Sequence, residues 1–143
     1  MENDIIPLNA LSADKRALLN RSTNTPKFYI TLFDYEITET FIKYMLEIGR
    51  QSIFDDKQIY IHHVQTRYSQ LLRLYNDITN NQSFTSFNFT EFPPKKWFNN
   101  LTIETANERL SQINMFLHSL NKLPYATIIN SFNVVFGEHV GTS

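Results

Sequence analysis

The chain has 143 residues, a formal net charge of −1 and no cysteine, which fits one domain and excludes a disulfide framework, a cysteine-ligated zinc site and a cysteine nucleophile. Only 3 glycines against 14% aromatic residues exclude collagen-like or disordered architecture and leave little material for glycine-rich phosphate loops. The near-neutral balance removes the basic field on which non-specific nucleic-acid binding depends, so an anionic partner has to be met by locally clustered cations.

Residues 1–25 mix short apolar groups with Ser12, Asp14, Lys15, Asn20, Ser22, Thr23 and Asn24 and close at Pro26, and they read as a flexible N-terminal arm with a helical turn between Ala10 and Leu19. The start, Met1-Glu2-Asn3-Asp4, is acidic where a secretory signal is basic, and no apolar run approaches the roughly 18 residues of a spanning helix. A cytoplasmic protein with no transmembrane segment is expected. From Lys27 the texture turns β-branched and aromatic over 28–33, 41–48 and 59–64, with polar breaks at 36–40 and 49–57, which predicts three strands in an antiparallel meander.

At Arg67 the apolar period changes from two to three and four, and Tyr68, Leu71, Leu72, Tyr75 and Ile78 mark one face of a helix ending near Thr79-Asn80-Asn81. Residues 82–100 have no helical period yet carry Phe84, Phe87, Phe89 and Phe92, then Pro93-Pro94, Lys95-Lys96 and Trp97-Phe98, an unusually apolar connection. Two more helices are expected over 103–121, burying Ala106, Leu110, Ile113, Leu117 and Leu120, and over 125–136 after Pro124, burying Ile128, Phe132 and Val135. The fold class is therefore α+β, a three-stranded antiparallel sheet packed against a helical subdomain. The domain spans 26–138, with a tail at 139–143.

Catalysis finds no candidate residues. His62 and His63 are neighbours on an expected strand and point to opposite faces, and Glu104 and Glu108, four apart on a helix, lack a facing acid. No glycine-rich phosphate loop, nucleophile elbow or dinucleotide fingerprint is present. No catalytic residue, metal ligand or cofactor is expected, and the chain reads as a non-enzyme. The stronger constellation is cationic. Arg67 opens a helix directly after a strand, where a guanidinium and backbone N–H groups address an anion together, with Tyr68 beside it, Lys95-Lys96 on the apolar connection and Arg109 on the next helix. Taken singly each has a plain alternative, as surface charge, core aromatic, solvated loop or half of a Glu-Arg pair, and composition alone leaves the choice open.

The run Val64-Gln65-Thr66-Arg67-Tyr68-Ser69-Gln70-Leu71 resembles the segment of PX (phox-homology) domains that usually reads Arg-Arg-Tyr-Ser-x-Phe. In order after it, Phe92-Pro93-Pro94-Lys95-Lys96-Trp97-Phe98 resembles the end of the family's proline-rich loop. Residues 104–120, with Asn107-Glu108-Arg109-Leu110 and Met115-Phe116-Leu117, resemble its arginine-bearing helix. The resemblance covers about 27–136 and implies a phosphoinositide-binding module with a three-stranded sheet on helices. It implies that Arg67 binds the 3-phosphate of phosphatidylinositol 3-phosphate, Tyr68 packs on the inositol ring, Lys95 holds the 1-phosphate and Arg109 the 4- and 5-hydroxyls. Two adjacent lysines leave the register open between Lys95 and Lys96; Lys95 is preferred, with Lys96 as a surface contact.

Trp97 and Phe98 fall where the family carries its membrane-inserting residues. Two aromatics beside two lysines also make an amphipathic tip on physical grounds, the alternative being that they fill the core. The sequence departs from the pattern at Thr66, where an arginine is common, at Leu71 in place of Phe, and at Thr90, where an earlier proline is expected. The implied role is recruitment to endosomal membranes as a sorting-nexin-type adaptor, peripheral on the membrane, with a retromer coat or cargo protein as partner. The alternative is a PX-like protein-interaction scaffold without specific lipid binding. Convergence of Arg67, Lys95 and Arg109 on one pocket favours the first; capture of Arg109 by Glu104 or Glu108 favours the second.

Overall fold

Ten-residue strands rich in β-branched and aromatic side chains form the centre of the fold, which a computed structural model describes over residues 3–137. Strand β1 is Asn3–Pro7 and helix α1 is Ala13–Asn20; strands β2, Phe28–Ile37, β3, Ile42–Gln51, and β4, Gln58–Arg67, follow. Helix α2, Tyr68–Thr79, starts directly where β4 ends, and α3, Ile103–Ser119, and α4, Tyr125–Phe136, complete the chain. The α+β class is as the sequence predicts, but the antiparallel sheet has four strands in the order β1-β4-β3-β2, not three.

The extra strand comes from the residues read as a flexible arm. β1 pairs with β4, Asn3 opposite His62 through Pro7 opposite Gln58, and α1 is capped at Ser12, whose hydroxyl accepts from the Lys15 N–H. Two apolar residues before Pro7 are too short a run to show an alternating pattern, so this strand exists through its pairing rather than its propensity. Residues 138–143, which include the expected tail, lie outside the described residues.

Strand alternation gives the sheet two buried faces. Phe28, Ile30, Leu32, Tyr44, Leu46, Ile48 and Val64 meet α2, α3 and α4 in the main core, while Tyr29, Ile59 and Ile61 meet Leu11, Leu18 and Leu19 of the N-terminal segment. The β2 edge is closed by a side chain. Asn114 of α3 accepts from the Leu32 N–H at 2.7 Å and donates to the Leu32 carbonyl at 2.9 Å, imitating a neighbouring strand beside the bulge that shifts the register between Leu32 and Asp34.

On the face covered by α1, the ring of Tyr29 crosses directly over Gly49; a Cβ there would lie 2.1 Å from the ring. That close passage lets the Tyr29 hydroxyl donate to Glu47 at 2.6 Å. Glu47 is buried and also receives Lys15 of α1 and His63 of β4, each at 2.8 Å, so three elements are tied to one carboxylate. Burial alone raises its pKa, but the hydrogen bonds from Lys15, Tyr29 and His63 outweigh it, and the net shift is downward. A carboxyl depressed in the folded state contributes stability above its unfolded value of about 4.3, and that contribution is lost as pH falls through the lower folded value. Melting temperature measured by circular dichroism should therefore fall on acidification below about pH 4.3, with a shallower acid limb in Glu47→Gln. An unchanged limb would mean that Glu47 is not the coupled group.

The aromatic connection between α2 and α3 is a second wall of the core. Tyr75 sits between Phe92 and Phe116 at centroid distances of 5.0 and 4.8 Å, and Phe89 contacts Phe84, Phe87 and Phe116. Two tyrosines of α2 pin the later part of this connection: Tyr75 donates to the Thr90 carbonyl at 3.0 Å and Tyr68 to the Pro93 carbonyl at 2.6 Å. Lys95, Lys96, Trp97 and Phe98 emerge from that fixed point.

Candidate functional site

The junction of β4 with α2 forms the floor of a cavity of about 380 Å³, within the range of small-molecule sites. Arg67, Tyr68, Lys95, Lys96 and Arg109 all line it, together with Thr40, Phe41, Ser69, Asn100 and Leu101. Three cationic segments far apart in the chain thus face one space, as binding of a single anion requires. Arg67 is the extended residue that precedes α2, exposed, with its guanidinium 5.4 Å from the Phe41 ring centroid. No side chain caps α2, so its first-turn N–H groups add their partial positive charge to the same end of the helix.

Arg109 projects from the inner face of α3 and is buried, 7% exposed. Its guanidinium lies 4.0 Å from the centroid of the Tyr68 ring, and its Nε has no hydrogen-bond partner among the described residues. Burial raises the Tyr68 hydroxyl, and burial lifts Tyr44 to about 12, in both cases against the pull of Arg109. Both phenols stay neutral at physiological pH, so Tyr44 accepts a hydrogen bond from the guanidinium but neither ring supplies a counter-charge. Among the described residues no carboxylate forms an ion pair with Arg109; Glu108 lies instead 3.6 Å from Lys96. A buried guanidinium with neutral neighbours gains from an anion brought to it.

The two lysines differ in their surroundings. Lys96 is held inward, donating to the Thr105 hydroxyl at 3.0 Å as well as facing Glu108, whereas Lys95 is exposed with its ammonium 4.6 Å from the Trp97 ring centroid. Both lysines line the cavity, Lys96 with partners inside the protein and Lys95 with its ammonium against the Trp97 ring. Trp97 and Phe98 do not fill the core: they are 77% and 85% exposed, and Ile103 at the start of α3 is exposed near them in sequence. Thr66, where the family pattern commonly has an arginine, is buried and donates to the Gln70 side chain at 3.1 Å. No cation occupies that place.

Sequence reasoning does not single out Phe41 for the site, nor Tyr44 as the core residue behind Arg109. Phe41 belongs to a strand pattern and Tyr44 to the core; the pairing of β3 with β4, Lys43 opposite Arg67, sets Phe41, just before β3, against the cavity, while Tyr44 stays buried behind it. Tyr68 has a double role, since besides lining the cavity it anchors the loop through Pro93 and carries the Arg109 guanidinium on its face.

An α+β scaffold holding three arginine and lysine segments around one cavity is an anion-binding module. The profile of the PX domain family matches residues 56–134, more than half of the chain, and the chain belongs to that family, whose members are phosphoinositide-binding modules. Among solved structures, the PX domain of mouse SNX19 with a bound sulphate ion superposes with a TM-score of 0.52 at 17% identity, covering 78% of this chain and 97% of that one. At that identity the likeness speaks for the fold. No curated protein matches the sequence. No helix among the described residues is long and apolar enough to cross a membrane.

Proposed function

We propose that the protein reads phosphatidylinositol 3-phosphate on endosomal membranes and acts there as a peripheral, sorting-nexin-type adaptor, a binding module rather than an enzyme. The observation that carries this reading is the buried Arg109, stacked on Tyr68 with an unpartnered Nε, in the same cavity as Arg67 and Lys95. In the bound state Arg67 takes the 3-phosphate, Lys95 the 1-phosphate and Arg109 the 4- and 5-hydroxyls, with the inositol ring beside Tyr68. A sulphate ion bound by the mouse SNX19 domain is consistent with an anion site in this fold. Capture of Arg109 by Glu104 or Glu108 would favour a scaffold without lipid binding; among the described residues Glu108 pairs with Lys96 instead. A retromer coat or cargo protein is the partner proposed for the recruited protein.

Trp97 and Phe98 supply the non-specific part of the affinity. Exposed aromatics beside Lys95 settle at the headgroup boundary, and each lysine adds about 1 kcal/mol at an anionic surface. The test is co-sedimentation with vesicles carrying each phosphoinositide at matched total charge. Only vesicles bearing the 3-phosphate should pellet the protein; equal recruitment by all of them would leave charge alone as the cause. Trp97→Ala should weaken vesicle binding by about tenfold or more while leaving affinity for a soluble short-chain headgroup nearly unchanged. Equal losses in both assays would assign Trp97 to headgroup recognition or to the fold.

A further inference from the structure

The connection between β3 and β4 lies at the opposite end of ten-residue strand β4 from Arg67, about 30 Å along the strand at roughly 3.3 Å per residue. Its tip carries Ile53 and Phe54, 64% and 86% exposed, followed by the exposed Asp55 and Asp56. The tip is not loose. The buried Ser52 hydroxyl accepts from the Phe54 and Asp55 N–H groups at 3.1 and 3.4 Å, the Asp55 carboxylate accepts from the Lys57 N–H at 3.0 Å, and the Gln51 side chain donates to the Asp56 carbonyl at 3.0 Å. Two large apolar side chains are therefore held outward by a turn whose polar groups are satisfied, which lowers the ordering cost of burying them against a partner.

Directly beside this knob is a cleft of about 580 Å³ whose apolar wall is Pro7 and Leu8 and whose cations are Arg16 and Lys57, with Asp55 of the tip lining it as the one acid against these two bases. Arg16 is positioned by donating to the Leu11 carbonyl at 2.7 Å, and the Leu8 N–H donates to the Lys57 carbonyl at 2.7 Å, which fixes cleft and tip to each other. One contiguous patch thus holds a projecting apolar pair next to the acidic Asp56, and a recessed apolar wall on which two bases outnumber one acid. That combination is self-complementary, the requirement for a two-fold interface in which each copy presents the same surface. A second copy accounts for knob and cleft together, with Asp56 of each copy facing the two bases of the other in each half.

We infer that this surface docks a second copy of the chain, Phe54 of each copy entering the Pro7–Leu8 cleft of the other and Asp56 meeting Lys57 and Arg16. The interface is separate from the headgroup cavity and stands whether or not the lipid reading does. Sedimentation velocity over a concentration series reaching the high-micromolar range should show a reversible rise from 16.9 kDa to twice that mass. Phe54→Asp and, separately, Asp56→Lys and Lys57→Glu should each weaken association by about tenfold or more, with unchanged far-ultraviolet circular dichroism. Mixing Asp56→Lys with Lys57→Glu should restore it, because both halves of the mixed pair again match acid with base. A wild type that stays at 16.9 kDa throughout, a Phe54→Asp variant that associates like wild type, or a mixture that stays monomeric would each overturn the inference.

Discussion

Arg67→Ala is expected to leave the protein in the supernatant of a vesicle assay that pellets the wild type on 3-phosphate membranes. The side chain is exposed, lies with its guanidinium 5.4 Å from the Phe41 ring centroid, and precedes α2 without capping it. Its removal therefore leaves no buried group unpaired, and the stability change should stay within about 0.5 kcal/mol. Binding loses a charge-assisted pair worth about 1.5–3 kcal/mol, which is roughly ten- to over a hundredfold in affinity, and more where both arms of the guanidinium fork engage the phosphate. Because folding is spared, the variant isolates recognition. Binding of the variant equal to that of the wild type would remove Arg67 from the site and with it the proposed orientation of the headgroup.

Gly49→Ala should produce the largest loss of stability of any single methyl added to this sheet. The new Cβ would sit 2.1 Å from one Tyr29 ring carbon and 2.6 Å from its hydroxyl oxygen, and that ring is fully buried between β3 and the N-terminal segment. It cannot swing away without breaking its bond to Glu47, so relief requires the strands to part. Overpacking in well-filled cores costs about 1–3 kcal/mol and occasionally more, and this contact belongs at the upper end. Denaturant unfolding of the two single variants and the double variant Tyr29→Leu/Gly49→Ala measures the clash. Tyr29→Leu loses the hydroxyl's bond but clears the space, so the two changes should be far from additive, the alanine costing little once the ring is gone. Additive losses would place the damage in the backbone of β3 instead.

Most of the architecture is legible in the sequence because long elements repeat their pattern. The alternation over 28–33 and 41–48 and the three-to-four spacing from Tyr68 to Ile78 place β2, β3 and α2 within a few residues of their observed ends. β1 escapes because two isoleucines before a proline carry no period, and its existence depends on a partner strand more than fifty residues away. The apolar connection at 82–100 is legible as an anomaly but not as a wall, since the contacts of Phe89 and Phe92 with Tyr75 and Phe116 are tertiary. For the site, order and resemblance name the cationic positions, yet they do not supply the facts that distinguish a binding cavity from a charged surface. Whether Glu108 faces Arg109 or Lys96, and whether Trp97 points in or out, depends on how α3 packs against the loop. Periodicity in one helix cannot supply that.

The amide of Asn114 that spans Leu32 bears on how the molecule survives in a crowded solution. An outer strand with free N–H and C=O groups is a seed on which further strands can grow, and β2, at ten residues, would be a long one. With its middle satisfied from within the chain and bent by the bulge after Leu32, it offers no continuous seam to a neighbour. The opposite border, β1, has five residues and ends in a proline that has no hydrogen to donate. The sheet is thus shielded against fibril growth at both borders by two residues of ordinary chemistry, Asn114 and Pro7, and association is left to side chains rather than to backbone.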